Sequence, residues 1–469
     1  MKKYISYVLA LALLASCKNL VDDLNISPNN PQDASAPVML TGVELADDLV
    51  HEGDGSRRAG VWAGYFDGLL FQYQSHQQYT VVANDFNTPW SFVYSNVIKN
   101  ARLMRQKALD VNNKRLAGVA QVLEANAAST AADLWGDVPF SQAVNEAYPN
   151  PKFDDQTQVY AAVQTLLDSA IVNLNSTAFI DFSAQDIIAA GNVVRWRQAA
   201  YTLKARNYLH AKQYDKALAA AQNGISTNAN SLYFPHIDNT GGSSLYYQFL
   251  VEDKGGYMGL GQFALSIISP TGTRTRANSK TNERARYNYL YSSATALNTG
   301  SVGGAFYKTT PYPMLTYQEN LLILTEADAR VNGFTAGLAR LNTYRAYLAT
   351  GGYLSTNYVV AANIKYDPYV AADFNPGGLE NPTVAANLTP IRALLREILE
   401  ERYVTFMGQI EGFNDVRRTL TETDIRVPLT PNVGTQLPVR FLYPQSEVDR
   451  NSSVPSPIPS IFVPTRVNQ

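Results

Sequence analysis

The sequence predicts a mainly all-α protein in which tetratricopeptide-like helix pairs form a scaffold and a large loop-rich insertion carries short strands. Three observations predict it. Apolar residues recur at helical spacing over several long segments. Residues 201–228 follow the period of a small-residue helix pair, with Tyr201, Ala205, Tyr208 and Leu209 on one helix and Tyr214, Ala217, Leu218 and Ala221 on the next. Residues of about 228–313, by contrast, are mostly Gly, Ser, Thr, Asn and Tyr.

In chain order, Met1-Lys2-Lys3 and the apolar run Ile5–Leu14 read as a signal peptide over 1–16, too short to span about 30 Å of hydrocarbon. Small residues then precede Cys17, the only cysteine, in the pattern of a bacterial lipobox whose thiol is acylated. Acyl chains contribute about 0.8 kcal/mol per buried methylene, so two or three of them anchor a soluble body. Residues 17–37, with Pro28, Pro31 and Pro37 and few apolar side chains, read as a lipidated tether or strap. Helical patterning starts near Val38 and runs through Leu45 and Leu49, and a Gly- and aromatic-rich segment follows from Gly53 to Pro89.

Trp90 opens a helix with Val93, Tyr94, Val97 and Ile98 on one face, and an Ala-rich helix spans Leu116–Leu134. Gly136 and Pro139 oppose its continuation. Further helices read at about 157–174, 195–211 and 215–226, with Gly224 where the repeat usually has Ala, and a second helix–turn–helix reads at 316–348. The last strong helix takes Thr389 as N-cap and Pro390 in its first turn. The Pro-rich residues 421–469 are expected to wrap the body.

Composition excludes several functions. Lys plus Arg (38) balance Asp plus Glu (40) and no long basic block occurs, so nucleic acid is not an expected partner. One cysteine excludes disulfides and thiolate metal sites. The paired carboxylates are sequence neighbours and cannot face each other across a sugar as a glycosidase requires. The four histidines form no H-E-x-x-H, and no nucleophile elbow or phosphate loop is present. Gly259-x-Gly261-x-x-Ala264 is half a dinucleotide fingerprint without the strand that should precede it. The expectation is therefore no catalysis, no cofactor and no metal.

Binding suits the composition better, since tyrosines (29) outnumber phenylalanines (18) and combine a flat apolar face with a polar tip. The expected ligand-binding residues are Tyr73, Tyr79, Asn84, Asp85 and Trp90, with His76 and Gln77 in the same loop. A second wall is expected from Arg286, Tyr287 and Tyr289, with Tyr291 continuing an alternation that would put three rings on one face of a strand. Tyr246 and Tyr247 are further candidates, whereas Trp62 and Tyr65 read as core.

Six segments together resemble the SusD/RagB-like nutrient-binding lipoproteins of the Bacteroidetes outer membrane. They are the lipobox at Cys17, Asn25–Pro31, Trp90–Tyr94 leading to Asn100, Leu134-Trp-Gly-Asp-Val-Pro-Phe140, the repeat at 201–228, and the pair Glu401–Arg418 and Arg440–Asp449. The Asn-Asp-Val-Arg-Arg and Tyr-Pro-Gln-Ser-Glu patterns look more like the family's divergent branch than its starch-binding founder. The resemblance implies one α domain over 38–469, built on four helix pairs with the ligand site on a loop-rich face. It implies a lipid-anchored, surface-exposed protein of the outer membrane that captures an oligosaccharide and delivers it to a SusC-like TonB-dependent transporter without bond chemistry. Two alternatives remain: the same kind of lid capturing peptides, and a repeat-based envelope scaffold.

Overall fold

A computed structural model of the chain describes residues 34–382 and 388–469. The expected signal peptide, the lipidation at Cys17 and most of the tether lie outside the described residues. Helix α1 (Ala36–His51) begins inside the expected strap, because Pro37 presets the first helical turn. It buries Leu40, Val43, Ala46 and Val50, and also Glu44, Asp47 and Asp48. The Gly- and aromatic-rich segment after it holds α2 (Asp54–Trp62), strand β1 (Phe66–Gly68) and α3 (Phe71–Gln77). From Asn87 the chain is helical without a break, through the π-helical turns Phe92–Ile98 into α4 (Lys99–Asp110).

Helix α5 (Lys114–Trp135) is the axis of the molecule, and every residue from Leu116 to Trp135 is buried. Its alanines let neighbours approach on all sides: α1 and α4, then α6 (Gln156–Leu174) and α7 (Val193–His210). The repeat at 201–228 forms as read, but its second helix, α8 (Tyr214–Ala221), stops short of residue 226. Gly224 explains the departure from the repeat. A Cβ there would lie 2.2 Å from Asn320 Oδ1, and the Asn320 amide donates to the carbonyls of Ala221 and Ile225. An alanine would evict the side chain that clamps α8 to the next pair, α11 (Tyr317–Asn332) and α12 (Phe334–Ala349).

The insertion contains more helix than its composition suggests. Strands β2 (Leu232–Phe234) and β3 (Met258–Leu260) are followed by α9 (Gln262–Ile268), β4 (Thr281–Asn282) and α10 (Arg284–Leu290). Strands β5 (Tyr291–Ser293), β6 (Ala296–Leu297) and β7 (Tyr312–Leu315) then lead back to α11. Each strand pairs with one partner, antiparallel: β1 with β3, β2 with β7, β5 with β6, and β4 with β8 (Lys365–Tyr366). The insertion is thus sewn to the scaffold at several points. No helix among the described residues is long and apolar enough to cross a membrane.

Helix α13 (Pro390–Thr405) begins where Pro390 predicts, although the Thr389 side chain makes no capping hydrogen bond. With α14 (Ile410–Arg418) it brings a dense set of buried charges into the core: Glu397, Glu401, Arg402, Glu411, Asp415, Arg417 and Arg418. Arg418 bridges Glu326 and Asp415, and Asp415 also takes the Arg402 guanidinium at 2.8 Å. Arg206 is bidentate on Glu319, and His210 joins Asp133 to Glu411 at 2.9 Å each.

The C-terminal segment wraps the body by backbone pairing as well as packing. Phe441 N–H donates to Leu134 O at 2.8 Å, and Trp135 Nε1 donates to Leu442 O at 2.8 Å. Gly136 makes this contact possible, since its φ of +84° turns the chain out of α5. Phe441 is fully buried and contacts the rings of Trp62, Phe86, Trp135 and Phe413. Phe441→Ala should therefore cost about 3–5 kcal/mol. The expected readout is a lowered urea midpoint together with faster tryptic cleavage after Arg426 or Arg440.

Candidate functional site

The expected binding residues divide into buried and accessible ones. Tyr73 is 1% exposed, and its hydroxyl donates to Asp54 Oδ1 at 2.9 Å while accepting from Arg57 Nε at 3.0 Å. His76 is fully buried beside it, and burial and the Arg58 guanidinium pull its imidazole down to about 3. Trp90 is buried against Trp135, Tyr94 and Tyr443, reaching only the floor of a groove of about 400 Å³ shared with Asn87, Ser91 and Arg450. Arg286 is wholly buried between Glu283 and Glu401. These side chains hold the fold in this arrangement and offer a ligand little surface.

Asn84 is exposed, Asp85 is half-buried and accepts from Val82 N–H at 2.9 Å, and half-buried Tyr79 accepts from Asn432 N–H at 2.9 Å. They line the seam with the C-terminal wrap. The strand expected at 287–291 is corrected by the structure. Residues 284–290 are the helix α10, so Tyr287 and Tyr289 point to different sides and Tyr291 begins β5, buried and 5.6 Å from the Tyr287 ring. The Arg286 ion pairs stabilise that helix, and their partner Glu401 cannot be inferred from local alternation.

Of the expected residues, Tyr289 is the one that lines a tyrosine-rich cleft. It is half-buried and faces a cavity of about 320 Å³ lined by Asn228, Tyr233, Thr310, Tyr353 and Ser355. The ring of Tyr289 meets Tyr353 edge-on at 6.2 Å and Tyr358 at 5.8 Å. Its hydroxyl has no hydrogen-bond partner among the described residues, and burial pushes it well above the usual phenol range. Tyr233 exchanges hydrogen bonds with Gln318, and burial pushes its hydroxyl up to about 12. The cleft's lining carries no Asp, Glu, Lys, Arg or His side chain among the described residues. Flat aromatic faces, hydroxyls and an amide without net charge suit a neutral, polyhydroxylated ligand. Tyr233 and Tyr353 escaped the sequence reading because they come from β2 and from the turn after α12.

A second aromatic surface lies at the start of α3. Phe71 is 65% exposed and stacks on Tyr257 at 4.7 Å, next to exposed Leu69 and Leu70. Its φ of +51° is a strained left-handed conformation for a phenylalanine. The sequence places Phe71 in the Gly- and aromatic-rich segment 53–89 without marking it as a binding residue. One group among the described residues could hold a metal ion: Asp48, Glu52 and His236, all buried.

Comparison with known proteins agrees with this architecture. Residues 39–249 match the family SusD-like_2, described as starch-binding and associating with the outer membrane. Several solved structures share the fold. A SusD/RagB family protein from Bacteroides thetaiotaomicron is 22% identical, with TM-score 0.66 over 90% of this chain and 95% of that one. A SusD homolog from Bacteroides fragilis is 18% identical, with TM-score 0.65 over 93% and 100%. A chitin-binding SusD homolog from Flavobacterium johnsoniae is 16% identical, with TM-score 0.65 over 92% and 98%. No curated protein gives a match.

Proposed function

We propose that this chain, whose residues 39–249 match the SusD-like_2 family, is a non-catalytic nutrient-binding lipoprotein of the outer membrane that captures a neutral oligosaccharide and delivers it to a SusC-like TonB-dependent transporter. The single observation that carries the ligand class is the uncharged, tyrosine-lined cleft around Tyr289. A peptide brings charged termini, and such groups need charged or strongly polar partners when they are taken out of water. The cleft supplies aromatic faces and hydroxyls instead. Chitin binding by a protein of the same fold supports a sugar. The leader and Cys17 support lipid attachment, and the family description supports the outer membrane. Glu401 and Asp415 are held in ion pairs with buried arginines, which supports a structural role for these core carboxylates and binding without bond chemistry.

Tyr289→Ala should weaken binding of a neutral oligosaccharide at least about tenfold, or about 1.4 kcal/mol. The helical circular dichroism signal should not change. Isothermal titration against chitin and starch oligosaccharides reads the loss. The Phe71–Tyr257 surface supports a second placement of the same function, since a strained, exposed ring costs stability that only a contact would offset. If Phe71→Ala abolishes binding while Tyr289→Ala leaves it intact, the ligand sits on that surface and the cleft assignment is wrong.

A further inference from the structure

We propose that Asp48, Glu52 and His236 bind a divalent transition-metal ion, Zn²⁺ by donor chemistry, which fastens the insertion to the end of α1. Asp48 lies in the last turn of α1 and Glu52 is its C-cap residue four positions on, whereas His236 follows β2 in the insertion. All three are at least nine-tenths buried, and their donor atoms lie within 4.8 Å of one another.

Hydrogen bonding leaves these atoms unused. Asp48 Oδ1, Glu52 Oε2 and His236 Nε2 are buried and have no hydrogen-bond partner. Glu52 Oε2 and His236 Nε2 are 2.8 Å apart, yet they are not aligned as donor and acceptor. Burying such atoms unpaired is costly, and a native fold rarely leaves three of them facing one point. Ligand atoms that share an ion at bonds of about 2.0–2.2 Å sit about 3 Å apart, close to the Glu52–His236 spacing.

The charge balance points the same way. The ionisable groups acting on Asp48 are Glu52 and Asp47, both acidic. Asp47 has its own partners, the His51 imidazole and the Asn126 amide. Glu52 has the His236 imidazole at 2.8 Å, but no cationic side chain acts on Asp48, and a cation bound among the three would supply that charge. One imidazole nitrogen with two carboxylates favours a transition metal over Ca²⁺ or Mg²⁺, which prefer oxygen donors throughout. Three protein donors leave a coordination position that water can fill.

The surrounding contacts suit a structural ion. The other oxygen of Glu52 accepts from Ser244 Oγ at 2.6 Å and from Tyr246 N–H at 3.4 Å. The Phe234 ring lies 5.4 Å from His236 and fixes its orientation. Glu52 and Tyr246 also line the interior cavity that adjoins the tyrosine cleft and shares Tyr289 with it. The ion would therefore brace the segment 236–246 behind the cleft. The sequence conceals the set because no motif spacing links Asp48 to His236.

The test uses the untagged full chain, loaded with Zn²⁺, desalted and assayed by elemental mass spectrometry. The expected result is retention of close to one equivalent of Zn²⁺. EDTA should then lower the melting temperature reversibly and speed proteolysis within 236–246. Asp48→Asn and His236→Gln should retain no Zn²⁺. A wild-type protein that retains none, or variants that retain as much as wild type, would overturn the proposal. So would an EDTA-insensitive wild type beside an Asp48→Asn protein of full stability, because a carboxyl proton shared by Asp48 and Glu52 would then account for the pair. Should the variants fail to fold, Co²⁺ added to chelator-treated wild type decides the matter: d–d absorption bands are expected, and their absence refutes the site.

Discussion

Glu401→Ala should be among the most damaging single substitutions in the molecule, lowering stability by about 3–5 kcal/mol. Glu401 is wholly buried on α13 and holds two guanidiniums from the insertion, Arg286 and Arg276, the latter at 2.8 Å. Glu283, Glu397 and Glu400 complete the cluster, and Tyr366 donates to Glu283 at 2.9 Å. Removing Glu401 leaves Arg286 with Glu283 alone and strands buried N–H groups of both guanidiniums where water cannot replace the carboxylate. The cost is that of stranded charge, which exceeds the net worth of the pairs themselves. Urea unfolding followed by circular dichroism measures it. A loss below about 1 kcal/mol would mean that water reaches the cluster, as at exposed ion pairs.

The second large effect is a pH dependence centred on His210. Burial opposes its charged form, but the Asp133 and Glu411 carboxylates at 2.9 Å outweigh burial and raise it from 6.5 to about 9. Arg206 faces Glu411 at 3.5 Å and, with His210, holds its carboxyl well below the usual carboxylate range, while Arg417 faces Asp133 at 3.7 Å. Between pH 6.5 and about 9 the folded protein holds a proton that the unfolded chain has released. Stability from this group is therefore complete below pH 6.5 and disappears as pH rises through about 9, a change on the order of 3 kcal/mol. Buried Glu44, raised to about 10 by desolvation and by Asp186, adds a slope of the same sign. The informative quantity is therefore the difference between wild type and His210→Gln, in which the Glu44 contribution cancels. That difference should shrink steadily from pH 6.5 to 9.5, and a constant difference would show that His210 is neutral in the fold.

The helices were legible in the sequence because their information is local. The apolar spacing of α5, the alanines of 201–228 and the Pro390 start of α13 each sit within a few turns of chain. Gly224 was legible as an anomaly, and its cause became visible only when Asn320 arrived from α11. The binding residues were harder for the same reason. Aromatic residues in polar loops advertise contact with something, but composition does not say whether with ligand or protein. For Trp90 the partner is Trp135, for Tyr73 it is Asp54 and Arg57, and for Arg286 it is Glu401. Tyr289 reaches the tyrosine-lined cleft from a helix stabilised from α13 and not from the alternating strand that the local pattern suggests. Phe71 was hidden in the opposite way, as an apolar run that the fold leaves in water.

Capture and delivery together form the central claim, and affinity purification from solubilised outer membranes tests them most directly. Tagged full-length protein should bring down one β-barrel of transporter size in equimolar amount, and the purified pair should bind a neutral oligosaccharide. Recovery of other envelope proteins with no such barrel would contradict the account, and would make the tyrosine cleft and the Phe71 surface protein interfaces of a scaffold.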